Sequence, residues 1–256
     1  MMTFLKISYF LFINPNNIKK ANLSIKSSLL AKKIKIETCQ KTYFPKSENQ
    51  KEYLRSLYDP NIDLLLCLGP AGSGKTLFAC QYAIKKLQDS EINKIIITRP
   101  MITIEENMGF LPGDIKEKMH PWTIPIFDIF EEYYSKKEIN TFITNNVIEI
   151  APLGFMQGRT FKNSIIIADE MQNSSPNQMF MLLTRIGDKS KMIITGDPMQ
   201  TVNTNNGLND IVTKLDQSYY SKQEMYEDSI DIIRMKNTDI QRHHIVSKIN
   251  ILYGNS

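Results

Sequence analysis

The chain lacks the residues that several common protein classes depend on. Its three cysteines, Cys39, Cys67 and Cys80, form no CxxC pair and stand apart from the three histidines, so neither a zinc site nor a disulfide framework is indicated. A reducing setting follows as the default, which points to the cytoplasm, with an organelle matrix as the variant. No run of 18 apolar residues occurs, which argues against a membrane span. Residues 1–36 contain no Asp, Glu or Arg but seven Lys; setting those lysines aside leaves 24 basic residues against 27 acidic ones from Glu37 onward. The body is therefore no general magnet for nucleic acid, and any polyanion contact there must be local. What the chain does have is size and apolar content, 256 residues of which 42% are hydrophobic, enough for one sizeable core and incompatible with disorder throughout.

The leader contains one short apolar stretch, Thr3–Ile13, followed by Lys-rich polar sequence. A targeting segment and a poorly ordered basic leader both fit, although a positive region of only one Lys, the lack of a small-residue cleavage site and the absence of Arg count against targeting. Residues 1–44 are accordingly expected to be an appendage and 45–256 one core domain. Within that domain, short and continuously apolar runs alternate with helical stretches. Leu64–Leu68, Lys94–Thr98, Val147–Ile150, Ser164–Ala168, Lys191–Thr195 and Ile230–Met235 read as buried strands. Helices are expected over Thr76–Gln88, Ile115–Ser135, Pro176–Ile186 and from Thr238 to about Tyr253, with Val202–Asn209 as a surface loop. The alternation predicts an α/β fold with a parallel sheet sandwiched by helices.

Gly69-Pro70-Ala71-Gly72-Ser73-Gly74-Lys75-Thr76 matches GxxxxGK[ST], with a strand before it and a helix after it. In such a loop the glycines let backbone N–H groups converge on phosphate oxygens and the following helix presents its positive end. Lys75 is expected to reach the β- and γ-phosphates of a nucleotide, and Thr76 to hold Mg²⁺. Asp169 and Glu170 end the strand Ser164–Ala168. Asp169 is the second expected Mg²⁺ partner, and Glu170 is placed to orient and deprotonate an attacking water. A third strand ends in Thr195-Gly196-Asp197-Pro198-Met199-Gln200, where Gln200 is a candidate sensor of the γ-phosphate and Asp197 a group that holds either its loop or the water.

These residues resemble the PhoH-like ATPases, whose core is similar to the first RecA-like lobe of superfamily-one helicases. The resemblance lies in GPAGSGKT (69–76), TRP (98–100), GFLPGDIKEKMHPWTIPIFD (109–128), EIAPLGFMQGRTF (149–161), IIADEMQN (166–173), FMLLTRIGDKSKMIITGDPMQ (180–200) and QRHHIV (241–246). It implies a P-loop NTPase with ATP and Mg²⁺ as cofactors, single-stranded RNA as substrate or partner, and a homo-oligomeric ring such as a hexamer. By the same likeness Gln50, 19 residues before Gly69, is the candidate reader of adenine. The pattern departs from the family at Gly154, Gln157 and Met171, where Ala, Arg and Ala are expected, which weakens a phosphate-backbone role for that loop.

Superfamily-one helicases close the ATP site with a second lobe that carries an arginine, and the 56 residues after Gln200 are too few for one. An arginine from a neighbouring subunit is the expected substitute, Arg185 and Arg159 being the candidates, each with an intrachain salt bridge or helix-end role as the alternative. Trp122 reads as a packed anchor rather than a base-stacking platform, and His243-His244 as a structural or interface pair. Cys67 reads as a small core residue, and Tyr133, Tyr134, Tyr219 and Tyr220 as amphipathic packing. A small-molecule kinase is disfavoured by the acidic pair and the absence of an Arg-rich lid. A slow nucleotide-dependent switch or assembly factor without motor activity stays open beside the ATP hydrolase.

Overall fold

The computed structural model describes residues 41–100, 115–200, 205–241 and 245, with side chains inside the helix that starts at 115 described from residue 123. The basic leader, His243, His244 and the side chain of Trp122 lie outside what is described. The elements run α1 (Glu48–Tyr58), β1 (Leu64–Leu68), α2 (Lys75–Gln88), β2 (Lys94–Thr98), α3 (Ile115–Glu131), α4 (Lys136–Thr144), β3 (Ile148–Ile150), β4 (Ser164–Ala168), α5 (Pro176–Leu183), β5 (Lys191–Gly196), α6 (Gly207–Ser218), α7 (Lys222–Glu227) and β6 (Ile230–Arg234). Single 3₁₀ turns occupy Leu153–Phe155, Met171–Asn173 and Asn237–Asp239.

All six strands are parallel, in the order β3-β2-β4-β5-β1-β6. Alternate residues serve opposite faces, which is why the strands are apolar throughout. Leu65, Cys67, Ile95, Ile97, Ile167 and Ile193 pack with Tyr53 and Leu57 of α1, Phe78 and Ala83 of α2 and Phe130 of α3. Leu66, Ile96, Ile166, Met192 and Ile194 pack on the other side with Leu182 of α5 and Leu208 and Leu215 of α6. Each fully buried Ile or Leu contributes roughly 1.5–3 kcal/mol. The result is a helix–sheet–helix sandwich, the RecA-like P-loop NTPase architecture expected from the strand and motif pattern.

Helix starts are written in polar residues. Ser47, Ser135 and Ser175 each accept from the backbone N–H three residues on, while Gln50, Glu138 and Gln178 return a bond to the cap backbone. Pro176 follows Ser175 at the first helical position. Ser135, read above as the end of a helix, thus begins α4, and α3 stops at Glu131. Pro176–Ile186 ends early, at Leu183, because Ile186 leaves the helix to bridge Phe161. The loop expected over Val202–Asn209 gives way to α6 at Gly207, where Asn206 caps the Asn209 N–H at 2.9 Å. The helix expected from Thr238 does not begin there, because Asp239 folds back to accept the Lys236 N–H at 2.6 Å and makes a 3₁₀ turn; most of the remaining stretch lies outside the described residues.

Candidate functional site

β1 runs out at Leu68 and the chain must turn tightly beneath the strand ends before α2 starts. Gly69 has φ +136°, and a Cβ there would stand 2.5 Å from the Met235 carbonyl oxygen. Gly74 has φ +90° and caps α2 in the left-handed region. Gly72 also has positive φ, Ser73 is fully buried, and the Ser73 Oγ donates to the Pro70 carbonyl at 2.8 Å. Lys75 Nζ folds back along the loop and donates to the Gly69 and Pro70 carbonyls at 2.6 and 2.9 Å. Burial holds its ammonium below the ordinary lysine value.

The sheet order places β5 between β1 and β4, so three strand ends converge on one point. Asp169, 5% exposed, accepts from Thr76 Oγ1 at 2.8 Å and from Thr195 Oγ1 at 2.5 Å, both on Oδ1. Thr76 and Asp169 are the two groups expected to hold Mg²⁺, and they touch. Hydroxyl and carboxylate oxygens suit that hard cation, which takes one or two protein carboxylates and draws its other ligands from water and phosphate. Among the described residues no cluster of three His, Cys, Asp or Glu makes a separate metal site.

Glu170 follows in the left-handed region at φ 55°, ψ 40°, a conformation that is uncommon for a residue with a side chain and recurs at functional sites. Its Oε2 accepts from Gln172 Nε2 at 2.5 Å and its Oε1 stands 3.6 Å from Arg99 Nη2. Asp197 holds its own loop, accepting the Met199 N–H on Oδ1 at 3.0 Å, while its carbonyl accepts the Gln200 N–H at 3.1 Å. Gln200 itself is exposed at this turn.

Gln50 is placed differently from a free base reader. It is 2% exposed behind the phosphate loop. Its Nε2 donates to the Ser73 carbonyl at 3.1 Å and the Asp239 carbonyl at 3.2 Å, and its Oε1 accepts the Lys46 and Ser47 N–H groups at 2.7 and 3.3 Å. Two donors and two acceptor positions are all a Gln amide has. Reading adenine would require it to give up bonds that here brace the loop. The same brace includes the Gln241 N–H on the Gly72 carbonyl at 3.0 Å and Asn49 Nδ2 on the Asp239 carboxylate at 2.8 Å.

Neither arginine-finger candidate is held outward. Arg185 closes the end of α5, with Nε on the Met181 carbonyl at 3.0 Å, Nη1 on the Arg159 carbonyl at 3.2 Å and Nη2 on Thr184 Oγ1 at 2.8 Å. Arg159 pairs with Glu149 at 2.5 Å and lies over the Phe161 ring. Of the departures, nothing in the structure explains Gly154, since nothing lies within 4 Å of a Cβ built there, while Met171 is fully buried in the α5–α6 side of the core. Cys67 is buried as expected, and burial pushes its thiol up.

Arg99, Gln172 and Thr195 were not singled out from the sequence. Thr195 and Gln172 sit inside the strand-end motifs; the sheet order brings Thr195 to Asp169, and the turn after Glu170 brings Gln172 back to Glu170. Arg99 follows β2 directly, one strand away from Glu170, and its position after a buried strand was the available signal.

A family model described as "PhoH-like protein" matches residues 43–254. A PhoH-like protein of Bacillus subtilis (strain 168) is 37% identical over 233 residues, covering 90% of this chain and 70% of the relative. A PhoH-like protein of Synechocystis sp. is 35% identical over 213 residues, covering 82% and 62%, and Protein PhoH of Escherichia coli (strain K12) is 37% identical over 163 residues, covering 60% and 44%. The chain thus spans 44 to 70% of the length of these relatives. Among solved structures, the Sulfolobus solfataricus SWI2/SNF2 ATPase core in complex with dsDNA aligns with TM-score 0.45 at 12% identity, over 80% of this chain and 48% of that one. The Pif1 helicase from Candida albicans aligns with TM-score 0.38 at 15% identity, over 83% and 44%. Both likenesses are too distant to bear on substrate or partner.

Proposed function

The chain belongs to the PhoH-like protein family, and on that premise we propose that it hydrolyses ATP with Mg²⁺, acts on or with single-stranded RNA, and works as a homo-oligomeric ring in the cytoplasm. Residues 45–256 form the ATPase domain in this reading, with 1–44 as a basic appendage. The observation that carries it is the meeting of Thr76, Asp169 and Thr195 beside the phosphate loop, with Glu170 one residue beyond.

Bound Mg²⁺ supplies charge neutralisation on the β- and γ-phosphate oxygens, and Thr76 and Asp169 are the residues that would hold it. Lys75 leaves the Gly69 and Pro70 carbonyls and turns to the phosphates, exchanging two neutral acceptors for anionic oxygens. The loop from Ala71 to Gly74 and the start of α2 at Lys75 and Thr76 present backbone N–H groups to the same oxygens, while the Gly69 N–H is held by the Gly196 carbonyl at 3.0 Å. Glu170 orients a water in line with the γ-phosphorus and takes its proton, while Gln200 reads the γ-phosphate from the end of β5. Arg185 or Arg159 reaches a neighbouring subunit's nucleotide only after release from its own chain, a step tied to assembly.

One observation favours the slow-switch reading. Lys75 lies on its own loop and Arg99 faces Glu170, so both groups must rearrange before turnover.

The test is Mg²⁺-dependent ATP hydrolysis by wild type and Glu170→Gln, with and without single-stranded RNA, with oligomer mass measured in the same samples. RNA-stimulated turnover from an oligomer, lost in Glu170→Gln, is the expected result. Undetectable turnover with nucleotide-dependent assembly replaces the hydrolase with the switch.

A further inference from the structure

We propose that Gln172 is the positioning residue for Glu170, a rigid link that fixes the carboxylate of the base to the backbone at the exit of β5; this rests on the hydrolase reading above. A glutamate side chain has three rotatable bonds, and one that must present an oxygen to a water needs its rotation removed beforehand. Gln172 is 3% exposed and spans the gap between two of the three loops at the site. Its Nε2 donates to Glu170 Oε2 at 2.5 Å, and its Oε1 accepts the Asp197 backbone N–H at 3.1 Å.

The chemistry fixes which way the amide faces. Reversed, it would set an NH₂ against a backbone N–H and a carbonyl against a carboxylate, two repulsive contacts in place of two bonds. The anchor is a main-chain group directly after β5, whose two sheet neighbours fix it on both sides. Glu170 is therefore tied to the exit of β5, the strand that carries Thr195 and leads into Asp197 and Gln200.

A second observation comes from Gly196. Its φ is not positive, so backbone conformation does not demand glycine there. A Cβ would nevertheless stand 2.7 Å from Gln172 Oε1 and 2.6 Å from Leu208 Cδ2. Absence of a side chain at 196 leaves the amide its path to the Asp197 N–H. The Arg99 guanidinium, just after β2, stands 3.6 Å from Glu170 Oε1, so one carboxylate oxygen is held by the Gln172 amide and the other faces a cation.

The experiment is a double-mutant cycle of wild type, Gln172→Met, Glu170→Gln and the double variant, read as kcat for ATP, affinity for a non-hydrolysed ATP analogue, and urea midpoint. Gln172→Met keeps length and packing and removes the bonds. It is expected to lower kcat about 10- to 100-fold, with analogue affinity within about threefold of wild type. In the Glu170→Gln background it is expected to change the residual single-turnover rate by less than about twofold, since a positioning residue has no effect without its client. Gln172→Glu, nearly isosteric, replaces the amide donor with a second carboxylate against the first and is expected to lower kcat at least as far as Gln172→Met, again with analogue affinity within about threefold of wild type. Equal loss in both backgrounds, or weaker analogue binding with unchanged kcat, overturns the proposal. Should Gln172→Met fail to fold, Gln172→Glu enters the same cycle and is judged by the same criteria. If Glu170→Gln hydrolyses ATP as fast as wild type, the hydrolase reading itself falls; if Glu170→Gln is inactive and the cycle is additive, only the role of Gln172 falls.

Discussion

Replacing Gln50 by Met separates a brace from a base reader. The substitution keeps volume but removes two donors, leaving the Ser73 and Asp239 carbonyls without the partner they have at 3.1 and 3.2 Å. An orphaned buried acceptor costs about 1–3 kcal/mol, and the variant also loses the reciprocal half of the Ser47 capping box. The carbonyls regain part of this from water, so the expected loss is about 2–4 kcal/mol, near the lower bound for two acceptors plus a cap. A urea midpoint reads that loss, and affinities for ATP and GTP read the base. A brace acts on the loop and not on adenine, so both nucleotides should weaken by the same factor. A midpoint within about 0.5 kcal/mol of wild type, with loss of ATP-over-GTP preference alone, would refute this reasoning and restore Gln50 to the base.

Three further outcomes follow from the same geometry. Thr195→Val removes one of the two hydroxyls on Asp169 and is expected to cost about 1.5–3 kcal/mol in chemical denaturation, as for a hydrogen bond to a charged acceptor; an unchanged midpoint refutes it. Gly69→Ala forces a side chain onto the Met235 carbonyl and should abolish nucleotide binding in a fluorescence titration, whereas Gly154→Ala, in open space, should leave stability within about 0.5 kcal/mol. Lys191 donates to the Ser56, Leu57 and Asp59 carbonyls at the end of α1, and burial lowers its ammonium from near 10.5 to about 8. The folded state thus releases that proton before the unfolded chain does, so the penalty for the charge is full below pH 8 and fades as pH rises to about 10.5. Wild type should gain stability across that window relative to Lys191→Met, and a flat difference between the two denaturation series counts against it.

The strands were readable because a buried parallel strand is a short apolar run with nothing to confuse it. Five of the six start where expected, and β3 starts one residue late. The helices were less readable where polar residues decide the boundary. Glu48–Tyr58 is amphipathic but short of apolar residues, and Ser47 with Gln50 announces it only to a reader looking for a capping box. Ser135, where the expected helix ended, carries the same signal and opens α4, a helix the apolar pattern did not announce. Of the site, Thr76 and Asp169 are each named by their own motif, at the start of a helix and the end of a strand, and the sheet order is what brings them together. Gln172 and Arg99 are not so named, since each acts across a sheet spacing and the sequence does not say which strands are neighbours.

Strand order is what turns these motifs into one site. Were β1 and β4 adjacent, Asp169 would face Thr76 alone and the end of β5 would lie to one side. With β5 between them, Thr195 reaches Asp169 from the same strand whose next N–H but one, on Asp197, anchors Gln172. Asp169 and Glu170 are consecutive, yet each is tied to β5 by a different bond, one on either side of Gly196. In the proposed hydrolase, a shift of the β5 exit brought about through Gln200 would therefore act on Asp169 and Glu170 together, through two hydrogen bonds rather than through the whole sheet. That predicts coupling between substitutions at Thr195 and Gln172 in kcat, larger than the sum of their separate effects or smaller than it, but not equal to it, since both report on one strand end. Strict additivity of Thr195→Val and Gln172→Met in turnover would show that β5 transmits nothing between them and would leave the two carboxylates independently held.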